Sequence, residues 1–389
     1  ESRTQKIEGE TAMKSLTLIV KVTDGCNMRC KYCYNSDSGY ASPVLPLEKL
    51  EKLLSILATE FNEISVVWHG GEPLIAGMDY FARALEIENA IAKRCSSLKF
   101  TNSVQTNGTL INAKWAKFFK QNNFNPGISF DGINNDKYRG NTEKTLNAIK
   151  LLKKYDVPFG CMSVVADDEF DLSANYDYFA KLGVGVEFSP VFAEGVGKNA
   201  KQNTEKFASD LISLFDFWLT DTKGIAVRTF ASYLSIALGQ NRRICANCSC
   251  IGKFLSISPD GKLYNCNRYS VRQYPFADVD DVQTVKDIFG GEKFVEFLKG
   301  SIERRNKCKS TCDLFDVCNG GCSDCAMIEN GLTEIPQNSC YLFKTVYRHI
   351  KQAADKLVAE QPALDTLNPT VAKILINGTK QNTEKVELQ

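Results

Sequence analysis

The sequence predicts an α/β protein in two parts: a partial (β/α)6 barrel of the TIM type, open on one side, and a small cysteine-rich α+β domain behind it. Three observations carry this. From about residue 16 to 240, short β-rich runs alternate with amphipathic helical patterns. Strict strand–helix alternation implies right-handed crossovers and a parallel sheet. From about residue 241 to 345 the regular patterns thin out and cysteines crowd together.

The strand candidates are Leu16–Val22, Ile64–Trp68, Lys99–Gln105, Gly127–Phe130, Phe159–Val165 and Val186–Val191. Between them, Leu50, Leu53, Leu54 and Leu57 recur at i, i+3, i+4, i+7, the spacing of one helix face. Thr142 is a candidate cap for the helix carrying Leu146, Ile149 and Leu152. Phe207, Leu211, Leu214, Phe215 and Trp218 form a further apolar face. In the second part, Leu255 to Tyr264 reads as a β-hairpin turning at Pro259-Asp260-Gly261. Two helical patterns follow Cys340, one on Val346, Ile350, Ala353 and Leu357, the next on Val371 and Leu375, with a polar, frayed end expected from about Gly378. The expected division is an N-terminal extension (1–15), the barrel (16–240), the cysteine-rich domain (241–345), and C-terminal helices with a tail (346–389).

With 389 residues, 43% hydrophobic and 24% charged, the composition is that of an ordinary globular protein. A net charge of +1 gives no electrostatic argument for nucleic acid or an anionic membrane. No apolar run approaches the ~20 residues of a membrane span, and the first residues lack a secretory signal pattern, so a cytoplasmic protein is expected. Fifteen cysteines then point to metal ligands rather than disulfides. Three lie at 26–33, four at 245–266 and six at 308–340; Cys95 and Cys161 stand apart and read as buried free thiols.

Cys26, Cys30 and Cys33 follow the first strand directly. Three thiolates on one short loop can hold three irons of a cubane, whose full protein ligand set is four cysteines. The vacant iron is then open to a small molecule, and an open metal position marks chemistry rather than scaffolding. A zinc knuckle is the competing physical reading. The spacing Cys-x3-Cys-x2-Cys, with Tyr32 before the third cysteine, resembles the signature of the radical S-adenosylmethionine (radical SAM) enzymes. That resemblance implies a 4Fe–4S cluster whose open iron is chelated by SAM, and reductive cleavage of SAM to a 5′-deoxyadenosyl radical that abstracts a substrate hydrogen.

His69-Gly70-Gly71-Glu72-Pro73 follows the second strand. Glycines at a strand end let backbone approach a ligand closely, or make a tight turn. The segment matches the family's Gly-Gly-Glu-Pro motif, which implies that Gly70, Gly71 and Glu72 bind the SAM amino group. Gln105 and Ser129 stand at the ends of the third and fourth strands, where the resemblance implies contacts to the ribose and carboxylate of SAM. Arg139 is a candidate carboxylate contact, against a solvated surface arginine. Tyr32 is expected near the adenine.

The pattern Gly261-x4-Cys266, Cys308-x3-Cys312-x5-Cys318-x3-Cys322, then Cys340, is similar to the SPASM extension of that family, except that its usual Cys-x2-Cys is here Cys308-x3-Cys312. The resemblance implies two auxiliary 4Fe–4S clusters. One would take Cys245 or Cys248, with Cys250, Cys266 and Cys322. The other would take Cys308, Cys312, Cys318 and Cys340. Cys325 is left over, as an alternative ligand or a substrate-facing thiol. Tetrahedral zinc competes for such thiolate sets.

Two activities within the family compete. One is a peptide maturase that oxidatively modifies or cross-links a ribosomally made precursor, forming a thioether or carbon–carbon bond. The other is an anaerobic sulfatase-maturing enzyme that oxidises cysteine or serine to formylglycine. Chain length, the Trp68–Leu74 run and the gap before Cys340 fit the second. Against it, those enzymes carry a catalytic aspartate right after the cysteine matching Cys266, where this chain has Asn267, and an amide takes no proton near neutral pH. That position tips the expectation to the peptide maturase. About fifteen residues precede the first strand, too few for the leader-gripping winged helix of many maturases, so leader recognition would fall to the barrel or to a separate protein. A reduced flavodoxin or ferredoxin is the expected electron donor. Asp131, Glu187, Tyr264 and Asn267 are unranked candidates for the proton acceptor. A cluster-bearing electron carrier or zinc-organised binding module is the alternative outside the enzymes, and it needs neither the barrel nor the Gly-Gly-Glu-Pro segment.

Overall fold

Alternation of apolar and polar residues lays six parallel strands side by side in a computed structural model that describes residues 14–35, 42–192, 194–240, 245, 250–270 and 273–386. They are β1 (Ser15–Thr23), β2 (Glu63–Gly70), β3 (Lys99–Thr106), β4 (Asn125–Ser129), β5 (Gly160–Val165) and β6 (Val186–Pro190), in spatial order 6-5-4-3-2-1. Helices Leu47–Leu57, Met78–Arg94, Ala113–Gln121, Thr142–Lys154 and Leu172–Leu182 make the five crossovers. The fold is the expected partial barrel, with every strand candidate within a few residues of its position.

The strands have two chemically different faces because successive side chains point to opposite sides. Val20 pairs with Trp68, Trp68 with Val104, Ile128 with Cys161 and Cys161 with Val186. All are buried, under the helices. Trp68 meets Phe81 edge-on at 5.2 Å, and Phe81 meets Trp115 at 5.4 Å, an arrangement favoured by the ring quadrupoles. The opposite face carries Lys21 beside His69, and Ser129, Met162 and Glu187 in one lateral row. A barrel interior lined with ionisable groups is a site rather than a packed core.

The cysteine-rich segment continues this sheet. The expected hairpin is β7 (Phe254–Ile257) and β8 (Lys262–Tyr264), turning at Gly261 with φ 94°. β7 pairs in parallel with β1 from Thr17 to Val20, and β8 pairs with β9 (Ala277–Asp278). The helix Gln337–Glu360 carries Cys340 in its first turn and crosses residue 345 without a break. It packs on the Thr204–Thr220 and Arg228–Ala237 helices, with Phe343 and Tyr347 against Tyr233.

Some local expectations fail. Asn141, in the left-handed conformation, precedes the Thr142–Lys154 helix; Thr142 is its first residue, and its hydroxyl bonds Asp136 instead. The last helix runs from Pro369 to Val386 and does not end near Gly378. A 20-residue helix, Glu292–Thr311, occupies a stretch where little regular structure was expected. Cys95 is half-buried rather than buried. Among the described residues no helix is long and apolar enough to cross a membrane.

Candidate active site

The cysteine loop leaves β1 and is held from three sides. Gly71 N–H donates to Thr23 O and Glu72 N–H to Gly25 O, both at 2.8 Å. A Cβ on Gly71 would land on the Gly25 and Asp24 carbonyl oxygens, and Gly70 has φ 133°. The glycine pair thus lets β2's end lie flat against the cysteine loop of the chain itself. From the other side, Val196 and Gly197 donate to Asn35 O and Cys33 O at 3.2 and 3.0 Å, and Cβ atoms on Gly195 or Gly197 would strike the backbone of Tyr32–Asn35. This second glycine clamp escaped the sequence reading; the Gly-x-Gly spacing just after a strand was its only signal. Asn27 completes the cradle through Asn107 and Thr109, both at 2.8 Å.

Burial raises the Cys26 thiol and lifts Cys30 to about 11, so ionised forms of these thiols need a nearby cation or metal. Arg139 supplies part of that charge. It is half-buried rather than a solvated surface residue: its guanidinium donates to Tyr32 Oη at 2.8 Å and lies 5.8 Å from the Tyr32 ring. Its Nε is shut away from solvent with no partner among the described residues. Tyr32 in turn donates to Asp131 Oδ2, and Asp131 Oδ1 accepts from Val164 N–H at 2.9 Å.

Glu72 is fully buried, and burial raises its carboxyl. Its oxygens accept from Thr106 Oγ1 (2.7 Å), Asn107 N–H (2.8 Å) and Leu74 N–H (3.1 Å), so it braces the end of β3 to the end of β2. Gln105 Nε2 donates to Ser129 Oγ at 2.8 Å on the inner face.

The remaining thiols gather in two groups. Burial raises Cys308, Cys318 and Cys340, and each is raised further by neighbours among Cys308, Cys312 and Cys340. In the other group the Cys245 thiol donates a hydrogen bond to Cys250, with Cys266 and Cys322 close enough to disfavour a further charge. Cys325 donates to Cys322, which with the Arg268 guanidinium lowers the Cys322 thiol. Cys248 lies outside the described residues. Among the described residues no group of three His, Cys, Asp or Glu is drawn together around a single metal position.

Arg304 organises the loops between these groups, and the sequence reading passed over it. It is 1% exposed and donates to Gly320 O (3.1 Å), Leu332 O (2.6 Å) and Ser323 Oγ (2.8 Å). Arg268, next to Asn267, is paired with Asp324 at 2.8 Å and lies 3.9 Å from the Phe192 ring centre. Asn267 Nδ2 donates to Tyr34 Oη at 2.8 Å. A cavity of about 400 Å³ is walled by Met162 and Glu187 of the barrel strands together with Arg268, Cys322, Cys325 and Cys340 of the cysteine-rich segment.

The radical SAM superfamily model matches residues 20–171, and that of the SPASM iron–sulfur cluster-binding domain matches residues 244–313. The cysteine-type anaerobic sulfatase-maturating enzyme of Clostridium novyi is 31% identical over 80% of this chain and 88% of its own. The radical SAM cyclopropyl synthase TigE of Paramaledivibacter caminithermalis is 25% identical over 90% and 76%. The solved structure of native anSMEcpe with bound AdoMet and Cp18Cys peptide superposes with a TM-score of 0.73, at 28% identity, covering 88% of this chain and 99% of that one.

Proposed function

The chain belongs to the radical SAM superfamily, in the branch with a SPASM domain behind the barrel, and from that premise we propose that it oxidises a side chain of a peptide or protein in the manner of the anaerobic sulfatase-maturating enzymes, converting cysteine or serine to formylglycine. The observation that carries this reading is the reach of the likeness, which runs through barrel and cysteine-rich segment together. A match to the barrel alone would speak for the cofactor and not for the reaction. This reverses the weight that Asn267 alone gave to a peptide maturase.

On this reading Cys26, Cys30 and Cys33 hold the SAM-binding 4Fe–4S cluster. Cys245 or Cys248 with Cys250, Cys266 and Cys322, and Cys308 with Cys312, Cys318 and Cys340, hold two auxiliary clusters. The donor chemistry fits: every member is a thiol, the ligand type that holds an iron–sulfur cubane. The partnerless Nε of Arg139 fits the carboxylate of SAM, and Gln105 and Ser129, bonded to each other on the inner face, are further candidates for its polar groups. When bound and reduced, the cluster and SAM supply a carbon-centred radical that abstracts hydrogen. The chain's own part is to hold the substrate carbon over the inner face of β4–β6, to exclude water with Phe188, Phe192 and Phe207, and to accept a proton. Electrons would come from a flavodoxin or ferredoxin.

The second reading, a peptide maturase, is favoured by Asn267 and by the likeness to TigE; leader binding by a separate protein would belong to it. Anaerobic reconstitution decides between the two. About twelve irons per chain are expected, four for each cubane. With SAM, dithionite and the Cp18Cys peptide, the sulfatase-type reading expects a peptide aldehyde. Release of 5′-deoxyadenosine with no aldehyde refutes it and leaves the maturase.

A further inference from the structure

We propose that Glu187 takes the proton of the substrate's reacting heteroatom, the role that the amide of Asn267 cannot fill. This rests on the reading that the chain oxidises a peptide side chain by radical chemistry, whichever product forms.

The other groups near the inner face are committed elsewhere. Asp131 spends one oxygen on Tyr32 and the other on Val164 N–H. His69 accepts the Gly70 N–H through Nδ1 at 2.8 Å, and burial beside Lys21 lowers it to about 4, too weak a base. Tyr34 is held by Asn267, and burial pushes its phenol up. Tyr264 packs beside Tyr269 and Phe297, in a cluster separate from the barrel core.

Glu187 differs in three ways. Its Oε1 is anchored by Thr229 Oγ1, while Oε2 is sealed from solvent with no partner among the described residues. It walls the cavity. And it stands in register with Met162, which stands in register with Ser129. At ~4.8 Å per strand spacing, Glu187 lies about 10 Å across the sheet from Ser129. A substrate carbon poised between the two would turn its heteroatom toward Oε2. Burial raises the carboxyl above its usual range, with Thr229 and the nearby Arg228 opposing, so it binds a proton more readily than a carboxylate in water. Arg268, whose Nη1 is also partnerless among the described residues, walls the same cavity and can hold a substrate carbonyl.

The step balances for a cysteine side chain. The Cβ–H bond breaks and its hydrogen atom goes to the SAM-derived carbon. The S–H bond breaks and its proton goes to Glu187 Oε2. The remaining electron would go to an iron–sulfur centre held by the auxiliary cysteines, leaving a C=S double bond that water hydrolyses to the aldehyde with loss of hydrogen sulfide. Two electrons leave the substrate in all.

Glu187→Gln keeps size and the Thr229 bond but takes no proton, and Glu187→Asp keeps a carboxylate. Two measurements test the role. In turnover with the peptide used above, E187Q is expected to release 5′-deoxyadenosine while aldehyde per 5′-deoxyadenosine falls roughly 100-fold or more, the usual loss for a missing general base, with partial recovery in E187D. In equilibrium binding to the unreduced holoprotein, the wild type is expected to prefer the cysteine peptide over its Cys→Ala analogue by roughly fivefold, and E187Q to lose that preference. A wild-type aldehyde yield in E187Q, or an unchanged preference, overturns the role of Glu187 and leaves the proposed function standing. A wild-type protein that neither binds nor oxidises the peptide overturns both.

Discussion

Glu88 offers a quantitative test of how the barrel is built. It lies on the Met78–Arg94 helix, 3% exposed. Its Oε2 accepts from Asn102 Nδ2 at 2.7 Å, and Asn102 Oδ1 accepts from Trp68 Nε1 at 2.7 Å. Burial lifts its carboxyl to about 7, against an ordinary 4.5. The folded protein therefore keeps a proton that the unfolded chain loses above pH 4.5, and stability falls as pH rises from 4.5 to 7, then stays level. At 1.36 kcal/mol per unit, the full loss is about 3 kcal/mol, most of which falls between pH 5 and pH 8. Glu88→Gln keeps an acceptor for Asn102 and cannot ionise, so it escapes this loss. With an unfolding entropy of roughly 2.1 cal/mol/K per residue, the melting temperature of E88Q relative to wild type should rise by about 3 °C on going from pH 5 to pH 8. Anaerobic scans of both proteins, followed by tyrosine and tryptophan fluorescence at one heating rate, measure the difference. A gap that does not change with pH means that Glu88 ionises in the fold as it does in water, and the reasoning fails.

Three further outcomes are expected. Gly71→Ala drives a methyl into the Gly25 carbonyl and should cost the loop its iron, whereas Gly77→Ala meets no atom within 4 Å and should keep it, losing roughly 1–3 kcal/mol to the strain at φ 83° and ψ 163°; iron analysis compares the two. Arg304→Met strands the Gly320 and Leu332 carbonyls and Ser323, which should cost about 3 kcal/mol or more and lower iron content in the cysteine-rich segment while SAM binding survives. Arg139→Met removes the free Nε, and SAM affinity, read by calorimetry on the reconstituted protein, should drop at least about tenfold.

The strands and the cysteine loop could be read directly because their signals are local: alternation within each strand, and thiols within eight residues of one another. What escaped is held by tertiary contacts. The Glu292–Thr311 helix buries Phe294, Phe297, Ser301, Arg304 and Cys308, a helical spacing whose stripe contains a serine and an arginine and so shows no apolar period. Arg304 is tolerated there because loop carbonyls far along the chain receive its hydrogens. Gly70 and Gly71 were visible as permissive backbone, but that their neighbour is the cysteine loop depends on β1 and β2 being adjacent. Thr142 does not cap its helix because Asn135 and Asp136, seven and six residues earlier, engage its hydroxyl.

The parallel pairing of β7 on β1 also bears on how the protein can be handled. β1 has a hydrogen-bonding partner on each side only because β7 returns to it from more than two hundred residues away. A fragment ending near residue 240 would leave that row of amide and carbonyl groups bare beside apolar side chains, a template for sticking to other copies. Such a fragment should come out of cells as inclusion bodies, and swapping the rear segment between relatives will succeed only when the replacement brings its own strand to close the seam.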